Sequence, residues 1–123
     1  MHINTHANTN QAFSALVEAI ESEDYSAIYE ALACPYMDIN IMGSQRHRIT
    51  PLFLAVKQGD AAMTLTFLSM GANPNVSSSW GSESIYPLMQ AIQKASDIPD
   101  KTDEYLKIIE GLLKHGARAI LNT

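Results

Sequence analysis

The run Ile49-Thr50-Pro51-Leu52-Phe53-Leu54-Ala55-Val56-Lys57-Gln58-Gly59-Asp60 holds the start, body and end of one short helix and the start of a second. Thr50 can cap a helix with its side-chain oxygen. Pro51 then takes the first helical position, where its missing N–H costs nothing. Leu52, Ala55 and Val56 fall at spacings of three and four and so share one apolar face. Ala55 is small, which lets a neighbouring helix approach closely. Gly59-Asp60 closes this helix and opens the next, predicted over Ala61 to Met70 with Met63, Phe67, Leu68 and Met70 as its apolar positions. Gly71 stops the second helix, because glycine adopts the left-handed conformation at little cost. Asn73-Pro74-Asn75 reads as a turn.

Working outward, the unit recurs. A shift of 36 residues aligns Ser14, Thr50 and Tyr86, then Ala15, Pro51 and Pro87, then Leu16, Leu52 and Leu88. Ala19, Ala55 and Ala91 follow, with Ile20, Val56 and Ile92 beside them. Beyond that point small insertions displace the register. Ala31-Leu32, Phe67-Leu68 and Leu112-Leu113 still correspond, as do Gly71-Ala72 and Gly116-Ala117. Asp24 and Asp60 occupy equivalent positions, each placed to cap a second helix.

The segment Thr50 to Asp60, followed by Phe67-Leu68 and Gly71-Ala72-Asn73-Pro74-Asn75, resembles an ankyrin repeat, with Phe53 where the family's opening motif has histidine. The third unit keeps Tyr86-Pro87-Leu88-Met89-Gln90-Ala91-Ile92 and closes on Leu112-Leu113-Lys114-His115-Gly116-Ala117. The first unit diverges most. It has Glu23-Asp24 for Gly-Asp and Cys34-Pro35 in place of the closing glycine, yet ends on Met37-Asp38-Ile39-Asn40. The resemblance implies an all-α fold: a helix–turn–helix solenoid of three stacked repeats with projecting loop fingers. The repeats fall at approximately 13–45, 46–81 and 82–120, making one domain over 13–120 behind a flexible N-terminal arm, 1–12. Each unit of such an array contacts only its neighbours, so stability comes from stacking. In the last helix Glu104, Lys107, Glu110, Gly111 and Lys114 form a polar stripe, expected to face solvent at the end of the array.

The places where the chain stops repeating are the candidates for function. The first finger carries Arg46, His47, Arg48 and Ile49. The second, Val76 to Ser84, holds Trp80, the sole tryptophan, and Glu83. Trp80 reads either as an interface anchor, since tryptophan is enriched among dominant contacts, or as local core. The third departure is an insertion from Ala95 to Asp103, expected to be a loop, with Asp100 or Thr102 available to cap the helix after it. In ankyrin-like proteins the finger tips and inner helices line a concave binding face. By position that adds Lys57, Gln58, Gln93 and Lys94. Four basic residues (Arg46, Arg48, Lys57 and Lys94) then share a face, which favours a partner with an acidic surface and speeds encounter with it.

The composition narrows the alternatives. The chain has 123 residues, 46% of them apolar, and a net charge of −5. That suits one globular domain and argues against nucleic-acid binding, which needs a basic excess. The charge is uneven: residues 1–45 contain no Lys or Arg at all. No stretch approaches the ~20 apolar residues of a membrane helix. The N-terminus lacks the pattern of a secretory signal, so a cytoplasmic location is expected. A single cysteine, Cys34, cannot form an internal disulfide and reads as a structural thiol. His2 and His6 have no cysteine or acid close by to complete a metal site. The sequence contains no phosphate loop, nucleophile motif or dinucleotide fingerprint. No cofactor or metal is therefore expected, and the expectation is a non-enzymatic protein, monomeric when free. It would act by protein–protein interaction, inhibiting or neutralising a toxin or enzyme as an immunity protein does. The alternative is an ankyrin-type scaffold or a secreted effector that engages host proteins.

Overall fold

The computed structural model describes residues 9–33, 38–40, 49–80 and 83–118. Among these the chain is mostly helical. Helix α1 spans Thr9–Glu21 and α2 Tyr25–Leu32; α3 spans Pro51–Gln58 and α4 Ala61–Ser69. Strands β1, Ser78–Trp80, and β2, Glu83–Ile85, then form an antiparallel pair with Ser78 opposite Ile85 and Trp80 opposite Glu83. Helix α5 covers Pro87–Asp97, and a short 3-10 turn, Pro99–Lys101, leads into α6, Thr102–Lys114. No described helix is long and apolar enough to cross a membrane.

The caps read from the sequence form. The Thr50 hydroxyl accepts from the Phe53 amide at 3.1 Å, and Asp60 accepts from Met63 at 3.0 Å. Asp24 caps α2 in the same way, accepting from Ala27 at 3.1 Å. Helix ends repeat as well. Gly59, at φ 70, donates to Val56 O while Asp60 donates to Ala55 O. In the first unit Glu23, at φ 56, takes the place of that glycine: it donates to Ile20 O while Asp24 donates to Ala19 O. Gly71-Ala72 and Gly116-Ala117 close α4 and α6 with matching pairs of bonds. These paired bonds satisfy the last helical carbonyls.

Packing follows from the apolar faces. Helix α1 packs on α2 and α3, α3 on α4 and α5, α4 on α6, and α5 on α6. Leu16, Ile20, Ile28, Leu52, Val56, Phe67, Tyr105, Ile108 and Leu112 are fully buried along this line. Each such large side chain contributes ~1.5–3 kcal/mol by leaving water.

Several expectations are corrected. Helix α1 begins at Thr9, so part of the arm assigned to 1–12 is helical; no proline interrupts the chain there, and Phe13 and Leu16 continue the apolar spacing into the core. The second finger is not all irregular, because β1 and β2 add a small hairpin to the helices. The insertion assigned to 95–103 is largely regular. Position 95 is alanine where position 59 is glycine, so nothing turns the backbone left-handed and α5 runs on to Asp97. Neither Asp100 nor Thr102 caps α6; the Thr102 hydroxyl instead donates to Ala95 O at 3.1 Å. Met70 lies beyond the end of α4 and is 44% exposed. In the expected polar stripe of α6, Gly111 is buried, with no room for a Cβ against Leu65.

Candidate protein-binding surfaces

The residues assigned to one concave face divide into two clusters. Lys57 and Gln58 end α3, and Gln93 and Lys94 stand one unit on in α5. Lys57 and Gln93 are exposed, while Gln58 and Lys94 are half-buried. Glu83, exposed, lies on the hairpin. The hairpin is fixed at the other end of α3: the Thr50 amide donates to Ser78 Oγ at 3.3 Å, and Ser78 is buried. An eight-residue helix separates the clusters by about 12 Å at 1.5 Å per residue. Pro51 to Val56 are all buried between them.

The remaining assignments are placed as follows. Ile49 is 8% exposed and belongs to the core, so it does not present a side chain to a partner. Its apolar character, read as part of a finger tip, serves the packing under Thr50. Trp80 lies on β1, and its side chain is outside the described atoms. Arg46, His47, Arg48 and Cys34 lie outside the described residues.

The cluster at the end of α3 includes a residue that the sequence reading did not single out. Lys101, from the inserted turn, donates through Nζ to Gln58 O at 2.8 Å. Tyr105 donates its hydroxyl to Lys57 O at 3.3 Å. Two carbonyls at the negative end of the α3 dipole therefore meet a cation and a hydroxyl. Gln58 Nε2 donates in turn to Ile20 O at 3.1 Å, tying the cluster to the first unit. Burial raises the Tyr105 pKa, which keeps the hydroxyl protonated as a donor. The signal for Lys101 was present, a cation within an insertion of the repeat, but its target carbonyl is 43 residues away in sequence.

A second surface emerges only in three dimensions. Ala15, Glu18, Ser22, Ala27, Glu30 and Ala31 line an open groove of about 440 Å³ between α1 and α2. Its origin is visible in the repeat. The positions of Leu54, Met63 and Phe67 in the second unit are Glu18, Ala27 and Ala31 in the first. Small residues leave the hollow, and carboxylates edge it.

Across the unit boundary, the Tyr25 hydroxyl donates to Asp60 Oδ2 at 2.5 Å. That bond to a carboxylate pushes the Tyr25 pKa up to about 12, since ionising the phenol would lose the bond and set two negative charges together. Glu104 Oε2 accepts from the Ala61 amide at 3.2 Å, adding a second side-chain acceptor at the α4 N-terminus. Among the described residues no group of three or more His, Cys, Asp or Glu is arranged to hold a metal ion. No family model matches the chain, and no curated protein is significantly similar to it.

Proposed function

We propose that this chain is a three-unit ankyrin-type array that acts by binding another protein, without catalysis, and that binding inhibits or neutralises the partner. Three helical hairpins in chain order support the array. So does a polar contact that recurs between successive units. Asn40 Nδ2 donates to Gly71 O at 3.2 Å and its Oδ1 accepts from the Asn73 amide at 2.7 Å. Asn75 Nδ2 donates to Gly116 O at 3.0 Å and its Oδ1 accepts from the Arg118 amide at 2.9 Å.

The observation that carries the binding role is the lysine cluster at the end of α3 and α5. Lys57 in the last turn of α3, Lys94 in the last turn of α5 and Lys101, bonded to Gln58 O, stand at helix ends in a protein with five more acidic than basic residues, and Lys101 comes from a segment that breaks the repeat. Its carbonyl contact anchors the inserted turn while Lys57 and Gln93 remain exposed. A partner with an acidic surface is the chemical complement.

The test is affinity capture with the purified chain from its native host, followed by assay of the captured protein with and without added chain. The reading predicts one dominant partner whose activity falls as the chain is added. A partner whose activity is unchanged when bound would replace inhibition with scaffolding, and capture of nothing above a control would overturn the binding role.

A further inference from the structure

Helix α6 ends the described stack with an apolar stripe that has no neighbour among the described residues. Leu106 is 54% exposed and Leu113 53%, with half-buried Ile109 between them. At 100° per residue these three lie opposite the side that meets α4, where Gly111 touches Leu65 and Glu104 meets the Ala61 amide. The repeat says what this face is for. Leu106 and Leu113 correspond to Ala61 and Leu68 of α4, which are 4% and 3% exposed in a stack where α6 packs on α4. Ile92 of α5, the helix packed on α6, is likewise 44% exposed where its equivalent Val56 is fully buried.

The charges beside the stripe specify the occupant. Asp103, Lys107, Glu110 and Lys114 follow one another along one flank of α6, alternating in sign. Read backwards, the series is its own complement. An antiparallel copy therefore places Lys114 against Asp103 and Lys107 against Glu110, twice over, while a parallel copy opposes like charges. The apolar positions nearly share that axis, since the midpoint of Leu106 and Leu113 lies one residue, about 1.5 Å, from the midpoint of the charge pairs. We propose that α6 pairs antiparallel with α6 of a second copy of this chain, forming an isologous dimer. This replaces the monomer expected from the sequence, and it does not depend on the reading of the lysine cluster.

Sedimentation velocity on the whole chain across a concentration series tests it. One helix pair with an α5 edge is a small interface, so the wild type should pass from monomer to dimer at on the order of 10–100 µM. Leu113→Glu should be monomeric throughout with an unchanged thermal melt. Lys107→Glu with Lys114→Glu makes the flank all acidic; Asp103→Lys with Glu110→Lys makes it all basic. Each of these pairs should stay monomeric alone, and an equimolar mixture of the two should dimerise. A wild type that is monomeric to about 500 µM, a dimer that survives Leu113→Glu, or a mixture that stays monomeric overturns the pairing.

Discussion

Asn40 and Asn75 make the same two hydrogen bonds one unit apart: each side chain donates to the carbonyl of the glycine that ends the next unit's second helix and accepts from an amide two residues beyond it. Each asparagine also donates its own amide to the residue two before it, Asp38 or Asn73. Each turn is thus joined to the helix end after it by the same polar seam.

Replacing Asn40 or Asn75 by alanine breaks two of these bonds and leaves a helix-end carbonyl without its partner. Each change should cost about 1 kcal/mol and lower the melting temperature by ~4 °C, measured by circular dichroism. If both variants melt with the wild type, the seam contributes nothing to stability.

The two turns that link first and second helices respond in opposite senses. Glu23 holds φ 56 where Gly59 holds φ 70, a conformation costing a side-chain-bearing residue ~1–2 kcal/mol. Glu23→Gly should gain about 0.5 kcal/mol after the added freedom of the unfolded chain is subtracted. Gly59→Ala should lose ~2 kcal/mol or more, because the new Cβ would sit 2.9 Å from the Tyr105 hydroxyl as well as in the left-handed region. Chemical denaturation of the two variants beside the wild type reads both signs.

Gln90 is 5% exposed and its Oε1 has no hydrogen-bond partner among the described residues. The equivalent position in the second unit is Leu54, 2% exposed. Gln90→Leu removes the unsatisfied oxygen and should stabilise the chain by about 1 kcal/mol. A loss of stability in urea unfolding would show that the amide has a purpose the geometry does not reveal.

The Tyr25–Asp60 bond makes stability depend on alkaline pH. The folded pKa of Tyr25 is raised to about 12 from an ordinary 10.0. The folded state therefore holds the proton more tightly, and the bond's contribution is complete below pH 10.0 and is lost as pH rises towards about 12. The melting temperature of the wild type should fall more steeply across that window than that of Tyr25→Phe. Equal slopes would mean that the phenol does not keep this partner in solution.

Much of this molecule could be read before its structure, and the failures have physical causes. Thr50, Asp60, Asp24 and the closing glycines act within three residues of their own position, so local spacing revealed them. The β1–β2 hairpin gave no such signal. Its strands are serine-rich and three residues long, too short for an alternating pattern. Lys101, Tyr25 and Asn40 act across 43, 35 and 31 residues, and nothing in a linear pattern pairs such distant groups. Ile49, read as a finger residue, is core, because burial depends on which distant side chains cover a position and not on its local spacing.

The most direct test of the proposed function is a binding titration of the captured partner against wild type and the double variant Lys57→Glu with Lys94→Glu. If the lysine cluster carries recognition, affinity should fall at least ~10-fold, about 1.4 kcal/mol, with a reduced dependence on salt and a melt lowered by only a few degrees, because both substitutions place an acid in the last turn of a helix. Equal affinity for both proteins would contradict the account and move the binding surface elsewhere on the chain.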